Sequence, residues 1–389
     1  MAQTDAALTL SVIDGIEQVS AAAWDACAGT AHPFTRHAFL HALEASGSAT
    51  GRRGWLPQHA LVHDAAGTLL GVAPLYLKSH SFGEYVFDWS WADAYERAGG
   101  QYYPKLQAAV PFTPVTGGRL LVRPDLPEAE RERVASGLAD GLVRVAQRHD
   151  VSSLHVTFPT RGDWSRLGEH GFLQRVGLQY HFTNPGYAGF DAFLGALKAQ
   201  KRKQIRRERR EVADSGLTIQ RLTGRDIEPR HWEAFYDFYL ATADKRFGFP
   251  YLTPDFFERL GETMPEQTLL VMAWRPDGQP VAGALNLVGS DTLYGRIWGC
   301  CEEHRFLHFE CCYYQAIEHA IAHGLTRVEA GAQGEHKIQR GYLPVETYSA
   351  HWIADPRLRA GVADFIDRER PVVRAERAAL MGESPFRTA

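Results

Sequence analysis

The sequence predicts a mixed α/β protein built on mixed sheets and made of two fused domains, and three observations carry that prediction. The chain has 389 residues, more than one ordinary domain holds and enough for two or three. An order of strand, strand, strand, helix, strand occurs twice, each time over about 100 residues. A break at Asn184-Pro185-Gly186 separates the two runs. Hydrophobic residues at 45% and charged residues at 23% supply apolar surface for two cores.

In the first half, residues 59–81 read as an apolar strand, a turn around Gly67 and a second apolar strand. EYVFDWSW (84–91) has aromatics at alternate positions, Tyr85, Phe87, Trp89 and Trp91, the period of a strand. A polar loop rich in Gly and Pro follows. Residues 127–150 then predict a helix, with Pro127 and acids at its start and bases at its end, and 151–158 a strand. The second half repeats this order. Residues 268–274, a turn at Pro276-Asp277-Gly278 and 280–288 form a hairpin; 293–300 is a strand, 308–324 a helix and 325–331 a strand. Laid side by side, the halves place Tyr85 with Tyr294, Trp89 with Trp298 and His155 with Glu329. Between them a basic helix runs from about residue 190 to Gly216. The expected division is 1–186 for the first domain, 187–370 for the second, and 371–389 for a helical tail.

Composition removes several function classes. Lys plus Arg number 42 and Asp plus Glu 46, a formal net charge of -4, which excludes a generally basic nucleic-acid coat while leaving room for a local patch. The chain has no apolar run long enough for a membrane helix, and its first residues lack a basic segment followed by an apolar one. The five cysteines are odd in number and four stand in adjacent pairs, Cys300-Cys301 and Cys311-Cys312, a poor disulfide framework. These features predict a soluble, cytoplasmic protein with reduced thiols. Neighbouring cysteines point apart and no spaced ligand pairs accompany them or His308, so buried thiols are expected and no metal site. Gly99-Gly100 and Gly117-Gly118 match neither a Rossmann nor a P-loop fingerprint.

A hairpin, a central strand leading into a helix, and a further strand resemble the layout of a GNAT-type acyltransferase. More specifically, the chain resembles the FemAB-like predicted N-acyltransferases of peptidoglycan biosynthesis or recognition, in which two GNAT-like domains are fused. KAQKRKQIRRERREVADSGL (198–217) is similar to the basic helix that opens their second domain. GEHKIQRGY (334–342) is similar to a late Fem pattern of lysine, three residues and glycine, here Lys337 and Gly341. WADAYERAGGQYYPKLQAAVPFTPVTG (91–117) resembles the signature loop of the predicted N-acyltransferase group. The resemblance spans about Pro33 to Ile353 and implies amide-bond formation. A long helical hairpin, carried by some Fem proteins in the second domain, is missing from this sequence, so it offers no such arm for a cell-wall precursor or tRNA.

Acyl transfer to an amine needs a neutral amine, a polarised donor carbonyl and a route for the proton. In a GNAT-like domain this happens where two central strands splay, here between 293–300 and 325–331. Glu329, Glu335, His336 and Lys337 cluster at the end of the second strand and are the candidate catalytic residues. The alternative is a salt-bridged strand carboxylate and an exposed lysine. Trp298, Gly341 and Tyr342 join them as candidate substrate contacts. The loop holding Asp88, Trp89, Trp91, Asp93, Tyr102, Tyr103 and Lys105 mixes large aromatics with charges and is the second candidate, a substrate groove. Its alternatives are an aromatic interface between the halves and, for Asp88, a satisfied structural carboxylate.

The donor follows from where phosphates could sit. CoA-dependent GNAT enzymes cradle pyrophosphate on a Gly-rich turn opening a helix. Residues 301–311 have no glycine and three glutamates; 111–122 is a closer match, but Leu120 to Pro124 reads as a strand ending at proline, not as a helix start. From Lys198 to Arg210, by contrast, eight Lys/Arg and one Glu give +7 in 13 residues. Lys201, Arg202, Lys203, Arg206, Arg207 and Arg210 are candidate phosphate or tRNA contacts, with Leu194, Leu197, Ile205 and Val212 anchoring the other side. A solvated charged face is the alternative. The reading is transfer of an aminoacyl group from aminoacyl-tRNA to an amine of a small metabolite or cell-wall precursor, with no tightly bound cofactor. Acyl-CoA as donor is the second reading, and a non-catalytic module that recognises a peptidoglycan precursor or RNA is the third.

Overall fold

A computed structural model describes residues 7–245, 249–331 and 334–387. The chain divides into two compact units, the first made of residues 1–177 with 346–374 and the second of 178–345 with 375–389. The division therefore falls before residue 186, because the strand Leu173–Thr183 runs unbroken up to Asn184. Nor is 371–389 a separate tail, since the helix Pro356–Gly382 continues through Pro371.

In the first unit Thr9–Ile13, His59–His63, Leu69–Ala73 and Leu121–Val122 form an antiparallel sheet in that order. The amphipathic helix Glu128–Arg148 lays its apolar stripe, including Val134, Leu138 and Leu142, on this sheet. The contact is close. A Cβ on Gly71 would lie 2.7 Å from Val134, so the strand needs glycine there. Past Pro74 the chain enters a second set of strands: Trp55–Pro57, Leu75–Lys78, Lys105–Ala108, Ser153–Thr157 and residues 349–353. Lys105–Ala108 runs parallel to Ser153–Thr157, and the other pairs are antiparallel.

The segment 84–91 is not the third strand. Trp89–Arg97 is a helix, and Lys105–Ala108 takes the strand's place. The alternate aromatics misled because the loop is turned inside out: Glu84 and Asp88 are buried, whereas Phe82, Tyr85, Phe87 and Trp89 are exposed. The proposed equivalences of Tyr85 with Tyr294 and Trp89 with Trp298 fall with it.

The second unit has Thr218–Thr223, Thr268–Trp274, Pro280–Val288, Thr292–Cys300, Arg327–Glu329 and residues 181–183 in spatial order. Thr292–Cys300 and Arg327–Glu329 are parallel and all other neighbours antiparallel. The helix joining them begins at Leu307, passes through a π-helical turn at Glu310–Tyr314 and ends with Gln315–Ala322. Each unit thus has a third strand antiparallel to the second, a helix, and a fourth strand parallel to the third. The duplication read from the sequence holds at this level, and the fold is two fused GNAT-like domains.

Candidate functional site

The parallel pair of the second unit opens after three residues. Thr292, Leu293 and Tyr294 pair with Arg327, Val328 and Glu329, and the longer strand then runs on to Cys300 without that neighbour. A bulge lies at the opening: Leu285 faces Ile297 and Asn286 faces Gly295, leaving Arg296 as the extra residue. Its guanidinium donates to Glu329 Oε2 at 3.3 Å and to the Gly295 carbonyl at 3.1 Å. Glu329 is buried, and its antiparallel partner His181 brings Nε2 to 3.9 Å from Oε1. Burial holds the His181 imidazole down to about 4, against the pull of Glu329, so the ring is neutral at physiological pH.

Lys337 completes the group. It sits in the 3-10 turn Glu335–Arg340, is buried, and donates through Nζ to the carbonyls of Ala330 at 2.6 Å and Gly331 at 3.1 Å, directly after Glu329. The turn is fixed from behind by Arg340, which donates to both carboxylate oxygens of buried Glu208 at 2.9 Å and lies 3.4 Å over the Phe309 ring. Tyr314 also donates to Glu208. Glu208, the buried acid of the basic helix, is therefore its anchor to the turn that carries Lys337.

Of the four expected catalytic residues, Glu329 and Lys337 come together, whereas Glu335 and His336 lie exposed on the turn. His336 Nε2 is 3.0 Å from the Tyr313 hydroxyl, and burial together with the Arg340 and Lys337 charges lowers its proton affinity. Trp298 is half-buried beside His308, with ring centroids 5.2 Å apart. Gly341 and Tyr342 belong to the core rather than to a substrate surface. Gly341 has φ 92° and faces Phe193, and Tyr342 is fully buried with its hydroxyl on the Tyr313 carbonyl. Sequence reasoning missed Arg296 and His181. An arginine beside glycine within an apolar strand is a bulge signal that marks the first; the second is set by strand register.

The turn opening the helix at Leu307 has Phe306 at φ 62°. Glu302 on it is paired with Arg275, and the buried Glu310 accepts from Arg209 and Gln315. The basic helix is Ala199–Asp214. Ile205, Glu208 and Val212 face inward; Lys203, Arg206, Arg207 and Arg210 are exposed, and Lys201 and Arg202 half-buried. Arg206, Arg209 and Arg210 edge a groove of ≈ 600 Å³ whose wall includes Phe190 and Leu194.

In the first unit the expected groove is a closed ion cluster at four of its members. Asp88, Lys105, Tyr102 and Trp91 are all buried. Lys105 Nζ donates to Ser81 Oγ and Glu84 Oε2, each at 2.7 Å, and to Asp88 Oδ2. The Tyr102 hydroxyl donates to Asp88 Oδ2 at 2.7 Å and lies 3.2 Å from His155 Nε2. His155 and His351 are hydrogen-bonded through their Nδ1 atoms at 2.7 Å. Tyr103 is half-buried with its hydroxyl 2.8 Å from Ser81 Oγ, and Trp89 and Asp93 are exposed. Burial would raise Asp88, but Lys105 and His155 outweigh it and hold the carboxyl below its usual range. Burial and the Lys105 charge push His155 down to about 3.

The opening equivalent to that of the second unit is filled here. Arg119, fully buried, donates to the carbonyls of Thr157 at 3.0 Å, Val115 at 2.7 Å and Gly118 at 3.0 Å, and its own N–H donates to Asp163. The loop after Lys105–Ala108 thus occupies the end of its own parallel pair.

Lys78, 3.6 Å over the Trp55 ring and 3.7 Å from Glu84, gives the cluster a pH signature. Burial lowers Lys78 to about 7 and raises Glu84 to about 7. Between about 7 and 10.5 the unfolded chain holds a proton that folded Lys78 does not. Its contribution to stability therefore grows as pH rises above about 7 and is lost as pH falls through it. Glu84 acts oppositely, contributing below 4.5 and losing that contribution as pH rises through about 7. Urea unfolding at a series of pH values should show a dip near neutrality whose alkaline side disappears in Lys78→Met. An alkaline limb unchanged in that variant would mean Lys78 is not its source.

Among the described residues no group of His, Cys, Asp and Glu is arranged to hold a metal ion, and all five cysteines are free thiols. A family model described as FemAB-like, peptidoglycan biosynthesis/recognition, matches residues 15–388. None of the curated proteins matches the chain. Among solved structures it is similar to FemX, at TM-score 0.56 and 11% identity, covering 91% of this chain and 100% of that one. It is also similar to the C-terminal domain of a putative lysylphosphatidylglycerol synthetase from Agrobacterium fabrum, at TM-score 0.55 and 10% identity, covering 91% and 95%. A third is L-PGS from Bacillus licheniformis, at TM-score 0.50 and 10% identity, covering 87% and 98%. At these identities the likeness is one of fold.

Proposed function

We propose that this chain, which belongs to the FemAB-like family of peptidoglycan biosynthesis/recognition proteins, is an N-acyltransferase. In this reading it moves an aminoacyl group from aminoacyl-tRNA to the amine of a cell-wall precursor or small metabolite. The observation that supports it is the open end of the second unit's parallel pair, where Lys337 and the Arg296–Glu329 pair flank a stretch of Thr292–Cys300 that, among the described residues, has no parallel partner strand. Attack by the neutral amine on the ester carbonyl forms the C–N bond and breaks the C–O bond to the terminal ribose. The amine's proton ends on the ribose oxygen. We assign to Lys337 the negative charge that develops on the carbonyl oxygen. Glu329 holds Arg296 at the opening, and Trp298 lines it. His336 and Glu335, on the rim of the turn, are the candidates to carry the proton.

The choice of donor rests on charge. Glu302 and Glu303 stand on the turn where a CoA pyrophosphate would be cradled, and Glu310 stands in the helix it opens. The exposed arginines and lysine of the basic helix suit a polyanion. Filter retention of bulk aminoacylated tRNA at physiological salt, beside calorimetry with acetyl-CoA, tests this. Salt-sensitive retention is expected, and the retained amino acid identifies the donor. Arg206→Glu with Arg207→Glu should weaken retention and reduce the slope of log affinity against log salt by about 1 to 2. Micromolar binding of acetyl-CoA without tRNA retention would make acyl-CoA the donor and the helix a solvated face.

A further inference from the structure

The loop of the first unit between Leu75–Lys78 and the helix Trp89–Arg97 inverts the usual rule of burial. Its acids are inside and its aromatics outside. Glu84 and Asp88 are 4% and 2% exposed, whereas Phe82 is 51%, Phe87 58%, Trp89 38% and Tyr85 37% exposed. Free energy is spent to hold it so. Two carboxylates are taken out of water against Lys105 and Lys78, a desolvation that only close pairing offsets. Tyr85 takes φ 61°, a left-handed conformation unfavourable for a non-glycine residue. A loop shaped only for solubility would reverse both choices.

The aromatics are contiguous with a second exposed element. Phe82 meets Trp89 at 5.0 Å between ring centroids and His80 at 5.2 Å. His80 in turn lies against Gly54, where a Cβ would be 2.3 Å from its Nε2. Gly54 closes the turn Gly51–Arg53, and Gly51 touches Leu56, itself 39% exposed. Within residues 51–57 and 79–89 the exposed charges are Arg52 and Arg53, since both acids face inward. Asp93, Glu96 and Arg97 follow farther along the helix. The patch therefore presents Leu, Phe, Tyr and Trp side chains beside two arginines.

We propose that this patch docks on the interface of an anionic lipid bilayer. Aromatic rings settle at headgroup level, and nearby arginines are drawn to acidic lipids. Among the described residues no helix can cross a membrane, so the contact is peripheral and reversible. The proposal goes beyond the acyl-transfer reading and is independent of it.

The test is flotation of the full chain with vesicles of phosphatidylcholine alone and of equal parts phosphatidylcholine and phosphatidylglycerol, with no donor or acceptor present. Binding to the mixed vesicles is expected. Phe82→Ser with Phe87→Ser should lower partitioning more than about tenfold, the effect of taking one to two aromatic side chains out of an apolar phase. Arg52→Glu with Arg53→Glu should weaken binding to the acidic vesicles and leave the weaker binding to neutral ones unchanged. Both changes lie on the surface, and an unaltered unfolding curve confirms an intact fold. No flotation of the wild type, or flotation indifferent to the aromatic change, overturns the proposal. So does a wild-type dimer in sedimentation that the aromatic variant abolishes, which would assign the patch to a second copy.

Discussion

Replacement of Lys337 by alanine is expected to lower turnover about 100- to 1000-fold while tRNA retention and acceptor KM stay near wild type. The size follows from the proposed role: a donor aimed at developing oxyanion charge acts mainly in the transition state, so its loss appears in kcat. The same change leaves the Ala330 and Gly331 carbonyls without the ammonium they share. These carbonyls are half-buried, so losing their partner costs about 1 kcal/mol, and the variant should also unfold at slightly lower urea. Single-turnover kinetics well below the unfolding transition separate the two effects. Turnover within about tenfold of wild type would reduce Lys337 to a clip that holds the strand end to its turn. Arg340→Met gives the contrast. It leaves Glu208 buried beside Tyr314, loosens the turn, and should raise KM and lower kcat together, because it moves Lys337 instead of deleting it.

How much of this was legible in the sequence depends on which interactions decide each segment. The hairpin Thr268–Val288 and the helix Glu128–Arg148 were readable because apolar periodicity alone fixes them. Lys337 was readable from a local motif. The segment 84–91 was not, because what turns Glu84 inward is Lys105, twenty-one residues on, and no window centred on the aromatics contains that cation. Reading hydrophobic residues as inward then selects the wrong face and the wrong element. His181 and Arg296 escaped for a related reason. Each meets Glu329 through register, one across an antiparallel pair and the other through a bulge, and register is a property of the assembled sheet. Arg119 makes the same point. In sequence it follows a Gly-Gly pair, yet its guanidinium reaches the end of the first unit's own parallel pair.

Lys105→Met should be among the most destabilising single changes in the first unit. It removes the cation from two buried carboxylates that have no water to turn to. Breaking a buried ion pair from one side costs about 3–5 kcal/mol. Glu84 can soften the loss by taking up a proton, because burial already raises it to about 7. The deficit in urea unfolding should therefore shrink as pH falls toward about 7 from the alkaline side, where Glu84 is ionised in the wild type but takes up a proton in the variant, and level off below about 7, where both proteins hold that proton. Replacing the whole group, Lys105→Met with Glu84→Gln and Asp88→Asn, should recover most of the lost stability, since desolvating three charges is itself costly. A triple variant as unstable as the single one would mean that Lys105 contributes by packing its stem against Tyr102 and Tyr103, not by its charge. If charge decides, the triple variant also releases the loop that Glu84 and Asp88 pin from beneath. Phe82, Phe87 and Trp89 then lose the scaffold that holds them outward, and vesicle binding should fall in a protein whose core is otherwise sound.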